Sequence, residues 1–325
     1  MKLTFIIFQF VALFAMVNAQ IPPTPFAKYD VDASECTVLH HEQTSIYIPQ
    51  YSFLLKGKTY EGTAHVYYRQ FMDALDILIN NISMNYTTEH GTALLESAGM
   101  FEIYVLSNTG DTLEMNTSKH ITVRMNNNCD KKGMESYYLA DNQWRKNALF
   151  EGTPSSGTVV PSDDTKLWDD DIWNNNWNED ETNIVNRNFA LTYEAITDRN
   201  FKTLNIDKFG MYNLDKIVED ESIPIYADFS IKSSKTKITT TIYVIYEDLN
   251  TIYYYHPDAK NPLLLLKNHP FTIVAFANEG TIAKVDDGFI QNIDFLQYKN
   301  KTLTFPMTKI AQKVSSKDEL SQIIK

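Results

Sequence analysis

Apolar and polar residues alternate with a period of two along much of this chain. In "TSIYIPQYSFLL", Ile46 and Ile48 alternate with Tyr47. In "GTAHVYYRQF", Ala64, Val66 and Tyr68 alternate with His65, Tyr67 and Arg69. Such alternation marks strands with one face on a core and the other toward solvent. Lys56-Gly57-Lys58 is a turn between the two runs. "MDALDILI" breaks the rhythm, and its Met72, Leu75, Ile77, Leu78 and Ile79 suit a short helical turn packed on a sheet edge. Strands resume at "GMFEIYVLS", "HITVRM" and "ESYYLAD", with a turn at Asn108-Thr109-Gly110-Asp111. These segments predict an antiparallel β-sandwich over 44–150. Before it, 20–43 carries Pro22, Pro23 and Pro25 and reads as a solvated leader.

The pattern then lapses. "EGTPSSGTVVPSDDT" is rich in Pro, Ser and Gly, and "LWDDDIWNNNWNEDE" follows it with Trp168, Trp173, Trp177, a run of carboxylates and no basic residue. This makes 151–198 a linker. Period-two runs return from about Phe201, most clearly in "PIYADFSIK", "TTTIYVIYED", "FTIVAFAN" and "TLTFPMTKI", with a turn at Asn278-Glu279-Gly280. They predict a second sandwich over 199–312. Ser316 and Glu319 have capping-box spacing, so 313–325 is predicted to hold a short helix. The expected fold class is all-β: two antiparallel β-sandwich domains joined by an acidic, Trp/Asn-rich linker.

The first residues bear on address. Lys2 precedes an apolar run that ends in Val17-Asn18-Ala19, small residues of the kind a signal peptidase reads. The run is short for a bilayer span, which needs about 20 residues. The expectation is a signal peptide over 1–19, cleaved after Ala19, and a mature chain that is secreted or held in the periplasm or cell envelope, with no transmembrane segment. Lys317-Asp318-Glu319-Leu320 spells a retention signal but is internal, where such signals are not read. The formal net charge of −12 repels phosphate backbones and anionic lipids. Nucleic acid is therefore excluded as a partner, and an envelope protein or a glycan is the expected class. Cys36 and Cys129 are two cysteines in an oxidising compartment. They are either joined as a disulfide or are two separate buried thiols.

Two stretches carry a resemblance. "YEGTAHVYYRQFMDALDILINNISMNY" with "LLESAGMFEIYVLSNTGDTLEM" resembles a domain of uncharacterised exported proteins of Bacteroidota, through Gly62, Val66, Tyr68, Asp76-Ile77-Leu78, Ser83-Met84 and Glu96-Ser97-Ala98-Gly99-Met100-Phe101-Glu102-Ile103. "LNIDKFGMYNLDKI" resembles a downstream phrase of the same proteins, through Phe209-Gly210, Asn213 and Asp215-Lys216. More distantly, "IYIPQYSF" followed by "GTAHV" looks like the ZU5-type β-sandwich. The resemblance implies fold and address rather than activity. Asp111-Thr112-Leu113 is similar to the acceptor of Bacteroidota O-glycosylation, which makes Thr112 a candidate for modification. N-glycosylation sequons begin at Asn81, Asn85, Asn116 and Asn300 and matter in a host with that pathway.

Signs of catalysis are few. "HHEQTS" at 40–45 opens like a zinc-protease helix but lacks the second histidine of that motif. No nucleophile elbow, phosphate loop or dinucleotide fingerprint occurs. Asp286-Asp287-Gly288 reads as a turn. Gly99 reads as a bend before a core strand containing Met100, Ile103 and Val105, and in "FGMYNLD" Asn213 and Asp215 read as caps on a turn at Gly210. Asp169-Asp170-Asp171 supplies oxygens but lacks the glycine of a calcium loop. Trp168, Trp173 and Trp177 are then either a tether docked on a neighbouring domain, a ligand site, or part of a cation site. No catalytic residue, cofactor or metal is assigned. The expected function is non-enzymatic binding or scaffolding outside the cytoplasm. The rivals are an extracellular hydrolase or glycan-processing accessory, and a calcium-dependent adhesin.

Overall fold

The alternating runs become strands, and their apolar positions become two connected cores. The computed structural model describes residues 21–89, 91–126, 133–147, 201–257, 260–276, 282–310 and 313–324. In chain order the first part contains β1 (Ala27–Asp32), β2 (Thr37–His41), β3 (Thr44–Ile48), β4 (Phe53–Leu55), β5 (Lys58–Thr59), β6 (Thr63–Phe71), α1 (Ala74–Ile79), β7 (Asn85–Thr88), β8 (Gly91–Ser107), β9 (Glu114–Met115), β10 (Ile121–Asn126), β11 (Glu135–Ala140) and β12 (Gln143–Lys146). After residue 200 come β13 (Phe201–Ile206), β14 (Gly210–Ile217), β15 (Ser222–Ile231), β16 (Ile242–Tyr246), β17 (Thr251–Tyr255), β18 (Leu263–Leu266), β19 (Thr272–Phe276), β20 (Ile282–Val285), α2 (Asp287–Asn292), a 3₁₀ turn (Phe295–Tyr298), β21 (Thr302–Ile310) and α3 (Lys317–Ile324). The fold is all-β, with several antiparallel sheets.

The first body is a sandwich. Its larger sheet runs β1-β6-β8-β14-β11-β12, with β7 also on β8, and its smaller sheet runs β13-β10-β3-β2. Between them Val66, Tyr68, Phe101 and Ile103 meet Ile46, Val123, Leu204 and Ile206 in one apolar cluster. A short ribbon, β5-β4-β9, adds Phe53 and Met115. The second body is a seven-stranded sheet in the order β17-β16-β19-β20-β21-β15-β18. One of its pairs, β15 with β21, is parallel. The sheet curls enough for Leu266 N in β18 to donate to Tyr246 Oη in β16 at 3.0 Å.

The structure redraws the boundaries expected from sequence. Residues 20–43 are not a solvated leader: β1 pairs with β6, and β2 with β3. Of the described residues only 21–26, the prolines among them, precede the strands. The second body does not begin at 199, because β13 pairs with β10, and β14 lies between β8 and β11. The reason is the core: Leu204, Ile206 and Tyr212 fill the first sandwich. The linker 151–198 falls outside the described residues.

Nor are the two bodies separately packed. Ile77 and Leu78 of α1, Met84, Met100 and Trp144 belong to the same apolar cluster as Phe229, Val244, Ile252 and Leu320. Hydrogen bonds follow: Ser97 N to Leu249 O at 3.1 Å, Asn250 Nδ2 to Met72 O at 3.1 Å, and Tyr254 Oη to Ile82 O at 2.9 Å. Lys317, opening α3, reaches Asp73 at 2.8 Å and Asp76 at 2.6 Å at the start of α1. The predicted terminal helix is present, and Glu319 N donates to Ser316 Oγ at 3.2 Å. The return contact of the box goes to Ser315, whose amide donates to Glu319 Oε2 at 2.8 Å.

Two glycines permit the long pairing of β8 with β14. Gly99 (φ +135°) lies inside β8, with Met72 and Met125 packed over its Cα. Gly210 (φ +148°) opens β14, and a Cβ there would sit 2.8 Å from Tyr138 Cε2. A side chain at Gly210 meets backbone strain and a clash with a packed ring together. Gly210→Ala is therefore expected to cost roughly 1–3 kcal/mol, read as a lower urea midpoint with an unchanged m-value. A midpoint equal to that of the parent protein would contradict this.

Candidate functional site

The two phrases that carry the sequence resemblance are neighbours in space. Ile103 lies opposite Gly210, Phe101 opposite Tyr212, Met100 opposite Asn213 and Ser97 opposite Asp215, with a bulge between Asn213 and Asp215. Ser97 Oγ donates to Asn213 Oδ1 at 3.0 Å and accepts from Gly99 N at 3.1 Å. Asn213 Nδ2 donates to Asp215 Oδ2 and lies 4.0 Å from Met84 Sδ. Asp215 is completely buried, and its Oδ1 has no hydrogen-bond partner among the described residues. Burial pushes its carboxyl well above the usual range; the bond from Asn213 acts the other way, and the charge of Glu96 adds to the rise.

Solvent does not reach this cluster, so its chemistry is internal. A buried carboxyl, a carboxamide and a hydroxyl join two strands where the second body packs against the first. Asn213 and Asp215 therefore do not cap a turn as expected; both lie within β14. Buried polar groups in a mid-strand position defeat a reading based on alternation, which places polar residues outside.

The accessible chemistry lies elsewhere, on the outer face of the larger sheet. Cross-strand register puts Lys28 opposite Tyr67 and Asp30 opposite His65, then Tyr67 opposite Tyr104 and Arg69 opposite Glu102. Tyr67 and Tyr104 stack with centroids 4.7 Å apart and planes 6° from parallel, and Phe26 meets Tyr104 edge-on at 4.9 Å. Arg69 lies 4.2 Å over the Phe26 ring, donates from Nε and Nη2 to Glu102 Oε2 at 2.8 and 2.5 Å, and from Nη1 to Thr24 O at 3.0 Å. The segment before β1 is thus pinned across the sheet. His65 Nδ1 lies 2.6 Å from Asp30 Oδ1, and that bond is the main reason the Asp30 carboxyl is lowered. The sequence marked His65, Tyr67 and Arg69 as the solvent side of a strand. Their partners depend on register, which one strand does not encode.

His269 is the other concentrated group of charges. Its Nδ1 is 2.7 Å from Asp248 Oδ2 and its Nε2 is 3.4 Å from Asp220 Oδ2. Burial acts to lower its pKa, but the two carboxylates outweigh it and raise it. Both ring nitrogens are thus engaged by carboxylates. Among the described residues no group of three or more His, Cys, Asp or Glu side chains is placed to hold a metal ion.

The remaining candidates fall as follows. Trp168, Trp173, Trp177 and Cys129 lie outside the described residues, as does the turn expected at 278–280. Cys36 is half-buried, and Tyr47 Oη donates to its Sγ at 3.7 Å. Thr112 is exposed just after the expected turn, bridged to Leu106. Among the sequons, Asn81 and Asn300 are exposed, whereas Asn85 and Asn116 are half-buried. "HHEQTS" forms a hairpin rather than a helix, and Asp286 caps α2 by accepting from Phe289 N at 3.2 Å instead of forming a free turn. Among the described residues no helix is long and apolar enough to cross a membrane. No family model matches the chain, and neither a curated protein nor a solved structure matches it.

Proposed function

We propose that this chain is an exported, non-enzymatic protein of the cell envelope or exterior, which binds a glycan or an envelope protein on the outer face of its larger sheet. The Tyr67–Tyr104 stack carries the reading. It stands on a face where alternation turns side chains outward, and Phe26 and Arg69 brace it. Rigid aromatics flanked by charged groups bind with little loss of side-chain entropy. Lys28, Asp30, His65 and Glu102 surround them with donors and acceptors of both signs. The address follows the signal-like first nineteen residues.

The experiment compares the parent protein with a Tyr67→Ala/Tyr104→Ala double variant on immobilised envelope glycans and purified envelope proteins. Losing an aromatic anchor is worth about 2 kcal/mol or more, so at least a tenfold fall in affinity is expected, with the native circular dichroism spectrum retained. Equal binding by both proteins would remove this face from the function.

A further inference from the structure

Two polar residues meet inside the first sandwich, one from each sheet. Thr44 opens β3 on the side that carries Ile46 and Ile48, and Gln70 lies in β6 on the side that carries Val66 and Tyr68. Both are buried. Thr44 Oγ1 donates to Gln70 Oε1 at 3.0 Å. Gln70 Nε2 in turn donates to Glu42 Oε2 at 2.5 Å. Glu42 occupies the turn of the β2–β3 hairpin with φ +51° and reaches in from the exposed rim. Tyr68 lies beside Thr44, and its hydroxyl is buried without a well-formed hydrogen bond among the described residues.

A hydroxyl, a carboxamide and a carboxylate in this order are the parts of an acyl transfer. We propose that Thr44 and Gln70 become joined by an intramolecular ester that covalently links the two sheets of the first sandwich. Thr44 Oγ1 attacks Gln70 Cδ. The new bond is Oγ1–Cδ, the bond broken is Cδ–Nε2, and the hydroxyl proton leaves with the nitrogen as ammonia. The reaction is redox-neutral and consumes no second substrate. Glu42 takes the hydroxyl proton as the tetrahedral centre forms and passes it to Nε2, which it already touches.

The surroundings favour this outcome over the plain hydrogen bond. Tyr68 brings a buried hydroxyl to the Thr44 side of the pair, and burial pushes its phenol up, so it keeps its proton. The fold holds nucleophile and carbonyl together before reaction, which removes most of the entropic barrier. Ammonia escapes to bulk solvent, and the burial of Thr44 and Gln70 shields the ester from water. The link would close a loop of 26 residues and so restrict the unfolded chain as a disulfide does. Unlike a disulfide, it would persist in reductant.

The test is the mass of the folded, full-length protein, followed by peptide mapping. The expected result is a loss of one ammonia, located in a linked pair of peptides that contain Thr44 and Gln70. Mapping is needed because cyclisation of an N-terminal Gln20 would also lose ammonia. Hydroxylamine should separate the pair. Thr44→Val and Glu42→Gln should each restore the full mass of those peptides, and Thr44→Val should melt several degrees below its parent. An intact Gln70 carboxamide in the folded parent protein overturns the proposal. So does a deamidated Gln70 with no bond to Thr44. Neither outcome depends on a variant that folds.

Discussion

A fragment ending at residue 150 is expected not to fold, although it contains every strand of the sandwich predicted from sequence. It lacks β13 and β14, and β14 is the strand that joins β8 to β11. Its loss leaves both neighbours with an open edge and removes Leu204, Ile206 and Tyr212 from the core. Burying a large apolar side chain contributes roughly 1.5–3 kcal/mol, and a whole domain is stable by only about 5–15 kcal/mol. Three such losses plus two strands of ladder hydrogen bonds exceed that margin. Extending the fragment to residue 218 restores both strands. It still leaves Ile77, Leu78, Met100 and Trp144 without the second body that covers them. The longer fragment should gain β signal in circular dichroism yet bind a hydrophobic dye and unfold over a broad range of urea. A sharp, cooperative transition in the 21–150 fragment would show that the two bodies are independent after all.

Asp215→Asn should preserve the fold and remove part of its pH dependence. Burial raises the Asp215 carboxyl pKa above the value of an unfolded chain, about 3.9. Between those two values the native protein holds a proton that the unfolded chain has released. Stability from this group is therefore complete below the unfolded pKa, falls as pH rises through the interval, and is constant above the folded pKa. The loss is about 1.4 kcal/mol for each pH unit of that interval. Asparagine keeps an oxygen to accept from Asn213 Nδ2 and cannot ionise. The variant should match its parent at low pH and exceed it near neutrality, by several degrees in melting temperature. Asp215→Leu differs, because it leaves the Asn213 amide without its acceptor at a cost of about 1–3 kcal/mol. Parallel curves of stability against pH for the parent and Asp215→Asn would mean that Asp215 is already ionised in the folded protein.

Much of the fold was legible because inner positions are apolar wherever the strands are simple. Ile46 and Ile48, then Val66 and Tyr68, point inward as their spacing predicts, and "ALDILI" is a helix whose apolar residues face the second body. Alternation failed at β14, where buried Asn213 and Asp215 present the pattern of a surface strand. At β1 the alternation is present, with Lys28, Asp30 and Asp32 outward and Val31 inward, but the nearby prolines mask it and favour a leader. Strand direction leaves no mark on composition, so the parallel pairing of β15 with β21 was invisible. The two motif phrases are each legible alone, but their meeting spans more than a hundred residues of chain, and no local signal measures that distance.

The position of β14 in the chain also sets a timetable for synthesis. β8 and β11 are complete before residue 147 is made, yet the strand that belongs between them comes only at Gly210–Ile217. At about 5–20 residues per second, the nascent chain carries an unfilled slot in its larger sheet for several seconds. Throughout that interval the edges of β8 and β11 are open to each other, to a neighbouring nascent chain, or to a chaperone. Slowing translation between 148 and 200 lengthens this exposure without altering a single native contact. Yield of the folded protein should therefore respond to synonymous codon choice in that stretch.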